Sequence, residues 1–382
     1  NELESQLPAP LNKKIGTAMG GQFLMENISA NGKTEHIGTF KIEKLVEAKF
    51  SYKETAPLRI SLGINSPVNL PDQGFSSTIV LDKLDLEAWQ NWSNKFLPDA
   101  SATNTSKKPN GLQLNTLSAS IGSVKIADKE LKDITLSATH DQDLWHASIN
   151  SSIAVGLIQW RSPQAGLPQG KLTAKLQKLI IDSDASGETI TRNINQRIQK
   201  IPALDIQSDQ LIVNGKAYGK MELLASNDKN DWKIEKLNLK TADAKLTAHG
   251  KWILPRQDKQ ISPGRTELIF DLDIDNAGTL LSNLGFPKTI EDGSGKLVGN
   301  IYWQGEPYKF DIKSLKGDMS LDLAKGTVLQ VEPGIARLLG VLSFQGLSRI
   351  ATLDISGVLK PVVSQGTPFD RVTAKGTINN GL

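Results

Sequence analysis

Cysteine is absent from all 382 residues, which excludes disulfides, thiolate metal sites and cysteine nucleophiles. That absence leaves the compartment open, since cytosol and periplasm both suit such a chain. Histidine is scarce: His36, His140, His146 and His249 are the four, at no metal-ligand spacing. Aromatic residues reach only 5%, fewer than a large multilayer core or a sugar-cleaving cleft would use. No apolar run approaches the roughly 18 residues of a membrane-spanning helix, and Asn1 does not open a signal peptide. Lys and Arg number 44 against 41 Asp and Glu, so bulk charge gives no reason to expect nucleic acid as a partner.

What is present is a folding composition, 38% hydrophobic and 22% charged. The length implies two or three domains or one elongated one. The chain starts at Asn1 instead of Met, and Gly376 to Leu382 reads as an interrupted strand, so a segment of something longer is expected.

Period-two runs dominate. Leu58, Ile60, Leu62 and Ile64 alternate with Arg59, Ser61 and Gly63, and Leu268, Phe270, Leu272 and Ile274 alternate with Ile269 and three aspartates. Shorter runs include Leu297 with Ile301 and Trp303, and Tyr308 with Phe310 and Ile312. Turn signals such as Asn214-Gly215 and Lys325-Gly326 separate them. Long crossovers are not evident, so the expected pairing is mostly an antiparallel meander. At a typical strand-plus-turn length the chain offers roughly 15 to 20 strands, more than one open twisted sheet holds without curling. The expected fold is mainly β: an elongated, curled antiparallel sheet forming an open hydrophobic trough, with a few short amphipathic helices.

Four stretches carry a helical period. Asp85 can cap a helix near 85–97 with Trp89, Trp92 and Phe96 as its stripe. Ile190, Ile194, Ile198 and Ile201 mark one near 188–201, and Leu280, Leu281 and Leu284, with Gly285 as C-terminal cap, mark one near 277–285. The last, near 333–350, holds Ile335, Leu338, Leu339 and Leu342 and is apolar around much of its circumference. Residues 101–110 read as a linker or long loop, dividing a β-groove segment at 1–100 from a second at 111–382; a further boundary falls near Ser162–Gly170.

No chemical motif survives inspection. Gly293-Ser-Gly-Lys296 lacks the upstream glycine of a phosphate loop, and Leu297 stands where Ser or Thr would hold magnesium, so a hairpin turn is expected. Asp271, Asp273 and Asp275 begin like a calcium loop, but Asn276 replaces the required glycine and Ser282 the closing glutamate. His140-Asp141 has no nucleophile elbow to serve. Lys233, Lys236, Lys240 and Lys245 read as the solvent face of a sheet. No catalytic residue, metal or cofactor is expected, and the chain is not expected to be an enzyme.

From Leu179 onward a set of ordered pieces resembles the YhdP-type members of the AsmA-like family of Gram-negative envelope proteins. They include Ile201-Pro-Ala-Leu-Asp-Ile206, Leu211-Ile-Val-Asn-Gly215, Asp231-Trp232, His249-Gly-Lys-Trp252, Trp303-Gln-Gly-Glu-Pro307 and, most specific, Pro333-Gly-Ile-Ala-Arg-Leu-Leu-Gly340. Leu84-Asp-Leu with Trp89 extends the likeness loosely, and residues 1–75 match only in style. The resemblance implies a periplasmic section of an inner-membrane-anchored, bridge-like lipid transfer protein that moves phospholipid between inner and outer membrane and supports the outer-membrane permeability barrier. The partners it implies are phospholipid, both membranes through parts of the protein beyond this segment, and possible envelope proteins.

The residues expected to face lipid are Leu58, Ile60, Leu62, Ile64, Leu268, Phe270, Leu272, Ile274, Leu297 and Ile301, because aspartates of the opposite parity cannot face hydrocarbon unpaired. Ile335, Leu338, Leu339 and Leu342 are expected on a groove-associated helix. The alternative is a non-enzymatic periplasmic scaffold or binding protein for envelope assembly that carries no lipid.

Overall fold

Alternating apolar and polar residues build strands along nearly the whole chain. The computed structural model describes residues 4–30, 33–54, 56–96, 113–126, 129–181, 201–228, 231–253, 264–307, 310–329 and 366–380. They belong to two units, Asn1–Arg161 and Ser162–Leu382. The linker at 101–110, the helix near 333–350 with Ile335, Leu338, Leu339 and Leu342, and all but Ile201 of the helix near 188–201 lie outside the described residues.

The first unit contains β1 (Gly21–Ala30), β2 (Lys33–Ile42), β3 (Val46–Lys53), β4 (Ala56–Ile64), β5 (Phe75–Asp85), α1 (Leu86–Phe96), β6 (Leu114–Ile126), β7 (Lys129–Asp141), β8 (Leu144–Asn150) and β9 (Ala154–Arg161). Each strand pairs with the next, antiparallel except for β4–β5 and β5–β6. The pairing is mostly antiparallel as expected, but those two parallel pairs need crossovers that the sequence did not signal. A parallel neighbour requires the chain to travel back along the sheet. Residues 65–74 do this before β5, and the passage through α1 does it before β6. The Asp85 carboxylate caps α1 as expected, accepting from the Ala88 amide at 2.9 Å.

The second unit contains β10 (Lys171–Ile181), β11 (Ala203–Val213), β12 (Lys216–Asp228), β13 (Asp231–Lys240), β14 (Ala244–Ile253), β15 (Arg265–Ile274), α2 (Ala277–Asn283), β16 (Ile290–Gln304), β17 (Lys316–Val328) and β18 (Thr367–Ile378). β10 and β11 are parallel, and every later neighbour is antiparallel. Asn214 and Gly215 both adopt positive φ in the tight β11–β12 turn, as the dipeptide signalled. α2 is capped at both ends. Asn276 accepts from the Thr279 amide at 2.8 Å, and Gly285, at φ 97°, closes a Schellman arrangement in which the Phe286 amide reaches the Leu281 carbonyl.

Two local expectations are corrected. Gly293 to Lys296 is strand interior, not a hairpin turn: Asp292 pairs with Gly326 and Ser294 with Ala324, so the register is unbroken across Gly293. Phe310 and Ile312 do not form a strand; Ile312–Ser314 is a 3-10 turn capped by Asp311, with the Phe310 ring edge-on to Trp303.

Candidate functional site: the apolar face of the sheet

Opposed residues on neighbouring strands share a face, so the register defines rows that run across the strands. In the second unit one such row is Met221, Leu239, Leu246, Leu272, Leu297, Leu321 and Ala374, and the next is Leu223, Leu237, Ala248, Phe270, Gly299, Met319 and Gly376. A third is Ala225, Ile234, Gly250, Leu268, Ile301, Gly317 and Ile378. None of the three contains a polar side chain. Toward one end this face meets α2, where Ala277 and Leu280 pack with Ile274, Leu323 and Ile290. Toward the other end stand Trp232, Trp252 and Trp303, all under 8% exposed. The Trp252 indole N–H is buried there without a hydrogen-bond partner.

The first unit repeats the pattern. One row is Phe23, Phe40, Ala48, Leu62, Ser77, Leu117, Ala138, Ala147 and Ile158, and another is Ile42, Val46, Ile64, Ile79, Ala119, Leu136, Ile149 and Gly156. Ile64 packs against Leu81, Ala119, Ile121 and Val124.

The opposite face is polar. Across β6, β7 and β8 it carries Ser118, Ser137 and Ser148, all exposed. In the second unit Lys296 bridges Asp271 at 2.8 Å and Asp273 at 3.4 Å, which answers the calcium-loop pattern with a cross-strand ion pair. Its ammonium pKa is raised, chiefly by the bond to Asp271. Lys236 at 2.5 Å holds the Glu222 carboxyl below its usual range, and Arg371 does the same for Asp322. In the first unit Glu35 receives Lys53 at 2.8 Å together with Arg59 and Ser51, and its pKa falls to about 2, with Lys53 the largest cause. These contacts put charge on one side of the strands and hydrocarbon on the other.

A cavity of about 1090 Å³ lies on the polar side, across β13 to β18. Its lining takes residues in consecutive triplets such as Ile269, Phe270 and Asp271, or Val298, Gly299 and Asn300. A cavity on the apolar side would be lined by residues two apart, yet Leu268, Leu272, Leu297 and Ile301 are not in its wall. It therefore backs onto the row through Gly299 and is separate from the apolar surface.

The structure brings together the residues expected to face lipid within each unit. Leu268, Phe270, Leu272, Ile274, Leu297 and Ile301 share one face, with Ile274 and Ile301 buried and the other four half-buried. Leu58, Ile60, Leu62 and Ile64 lie on one parity of β4, with Leu58 41% exposed. Sequence reasoning missed the glycines and methionines of the same rows, Gly299, Gly376 and Met319, because a lone small or flexible residue carries no periodic signal. Among the described residues no group of three His, Asp or Glu could hold a metal. His140 stacks on Trp145 with ring centroids 4.6 Å apart and hydrogen-bonds Gln113.

In each unit a largely hydrocarbon face, a charged opposite face and mostly consecutive strand order make the arrangement of a β-groove protein. The match to known families agrees: a family model described as YhdP protein covers residues 1–382, and the chain belongs to that family. No curated protein and no solved structure matches it.

Proposed function

We propose that this chain is a periplasmic section of an envelope protein that carries phospholipid along its apolar face between inner and outer membrane, without catalysing a reaction. Membership of the YhdP family, an AsmA-like lipid transport family, supports this reading. The observation that carries it is the run of apolar rows crossing β12 to β18 with no charged residue in them. Each methylene withdrawn from water contributes about 0.8 kcal/mol, so two acyl chains are held by area alone, with no dedicated ligand. Neighbouring rows offer similar surface, and a lipid held without specific bonds slides from one to the next. Its head group stays in water, because burying an unpaired phosphate or ammonium is strongly unfavourable.

Native mass spectrometry of the purified chain tests the proposal. Copurified phospholipid is the expected result, and photocrosslinkers at positions 62 and 270 should each capture it. A lipid-free protein with no adduct from either position would overturn the reading.

A further inference from the structure

Each unit has a tryptophan row toward one end of its apolar face, and the two rows differ in what their N–H groups do. In the second unit Trp232 donates to the Pro202 carbonyl at 3.1 Å and Trp303 to the Glu306 carbonyl at 3.2 Å, and both are buried along with Trp252. In the first unit Trp145 on β8 is opposed by Trp160 on β9 and by His140 on β7. All three share the parity of Ala138, Ala147 and Ile158, so they stand on the apolar face. They form its last row on these strands, because the chain turns between β7 and β8 at Gln142 and Asp143. The three side chains are half-buried, not enclosed.

Gln113 fixes the hydrogen-bond roles at this rim. Its Nε2 lies 2.7 Å from His140 Nδ1 and 3.5 Å from the Gln142 carbonyl oxygen. An amide nitrogen only donates, so Nδ1 accepts and the neutral imidazole carries its hydrogen on Nε2. That N–H and the indole N–H groups of Trp145 and Trp160 have no protein acceptor among the described residues, and none of the three is buried. Three donors therefore meet water at the place where the hydrocarbon ends. Amphipathic rings take the same position at the apolar–water boundary of a membrane.

The charge beside the rim selects among head groups. Asp141 and Asp143 are exposed at the turn, and Arg161 lies 3.9 Å from the Asp143 carboxylate. Two carboxylates against one guanidinium disfavour a head group that is only anionic. They favour one that also bears an ammonium, which an indole face attracts.

We infer that His140, Trp145 and Trp160 seat the head-group end of a zwitterionic phospholipid. Its phosphate and ester oxygens accept from the three N–H groups, and its ammonium lies against the indole faces near Asp141 and Asp143. Its acyl chains run inward over Ala138, Ala147 and Ile158. The inference rests on the phospholipid reading above and adds the class of head group and the place where sliding pauses.

The test mixes the 382-residue chain with vesicles of equal parts palmitoyl-oleoyl phosphatidylethanolamine and palmitoyl-oleoyl phosphatidylglycerol, and identifies bound lipid by native mass spectrometry. The unaltered chain should carry phosphatidylethanolamine in about fivefold excess, the size of one cation–π contact. Trp145→Leu with Trp160→Leu keeps apolar bulk but removes the ring faces and two of the donors, and should bring the ratio to about one. Asp141→Asn with Asp143→Asn, at exposed positions that folding tolerates, should lower the excess to about twofold. Far-ultraviolet circular dichroism restricts the comparison to folded protein, and the aspartate pair decides alone should the tryptophan pair unfold. If the unaltered chain takes up lipid in the vesicle ratio, or folded variants keep the full excess, the rim only packs and the inference is wrong while the phospholipid reading stands. If the unaltered chain takes up no lipid, the phospholipid reading falls and the inference with it.

Discussion

The two units carry the same apolar rows but shield them differently. Around β1 and β2 the face is wet: Phe23 is 62% exposed, Met25 49% and Phe40 40%. In β14 to β18 the face is dry where the tryptophans and α2 pack on it, with Trp252 at 1%, Ala374 at 2% and Leu321 at 8%, while Leu268, Phe270, Leu272 and Leu297 stay half-buried. Composition does not separate them, since both are aliphatic with a few aromatics. Anchoring does. The second unit has three tryptophans toward one end of the face and α2 toward the other, whereas among the described residues β1 and β2 have no such cluster packed on theirs. A hydrophobic row is a core where something packs on it and a surface where nothing does.

The comparison would break first at Trp252. Its truncation to Ala should destabilise the second unit by about 3–5 kcal/mol, seen as a lowered denaturation midpoint, because the ring is wholly enclosed. Phe40→Ala should cost about 1 kcal/mol or less, since 40% of the residue is already in water. Equal losses would mean that exposure does not distinguish the two regions.

A charge sharpens the contrast. Leu321→Asp should unfold the second unit by several kcal/mol, because a carboxylate on that dry row has no partner. Phe40→Asp should leave the melt nearly unchanged and reduce phospholipid capture from position 62. A folded Leu321→Asp protein would show that the second face is wetter than its burial indicates.

Acid separates the units next. Glu35 has a folded pKa of about 2 against an ordinary 4.5, so its contribution is complete above 4.5 and is lost as pH falls through 2. Unfolding of the unaltered chain and of Glu35→Gln should differ at pH 6 and converge near pH 2. A constant difference across that range would assign the effect to shape instead of charge.

The smallest effect is at alkaline pH in the second unit. Lys296 has its pKa raised above 10.5, so its pairs with Asp271 and Asp273 act fully below that value and fade as pH rises through the folded one. Lys296→Met should remove this slope while barely changing the melt at pH 7, because the pair is half-exposed and screened. A large loss at pH 7 would show that the polar face holds the sheet together.

The strand parity was legible in the residues themselves. Leu268 to Ile274 had to turn away from Asp271 and Asp273, because unpaired carboxylates cannot face hydrocarbon, and they do so. Caps were legible for the same local reason: Asp85 and Gly285 satisfy backbone groups within a few residues of themselves, whereas the Asn276 cap was seen only in the structure. Register was not. Nothing near Gly299 announces that Phe270, twenty-nine positions earlier, will lie on it, or that Met319 will close the other side. The parallel pairs around β5 were hidden because a connection's length does not say which way the next strand runs. Period two chose the face of every strand, since side-chain direction is a property of the local backbone. Which rows became dry core and which stayed wet were decided only when distant strands came into register.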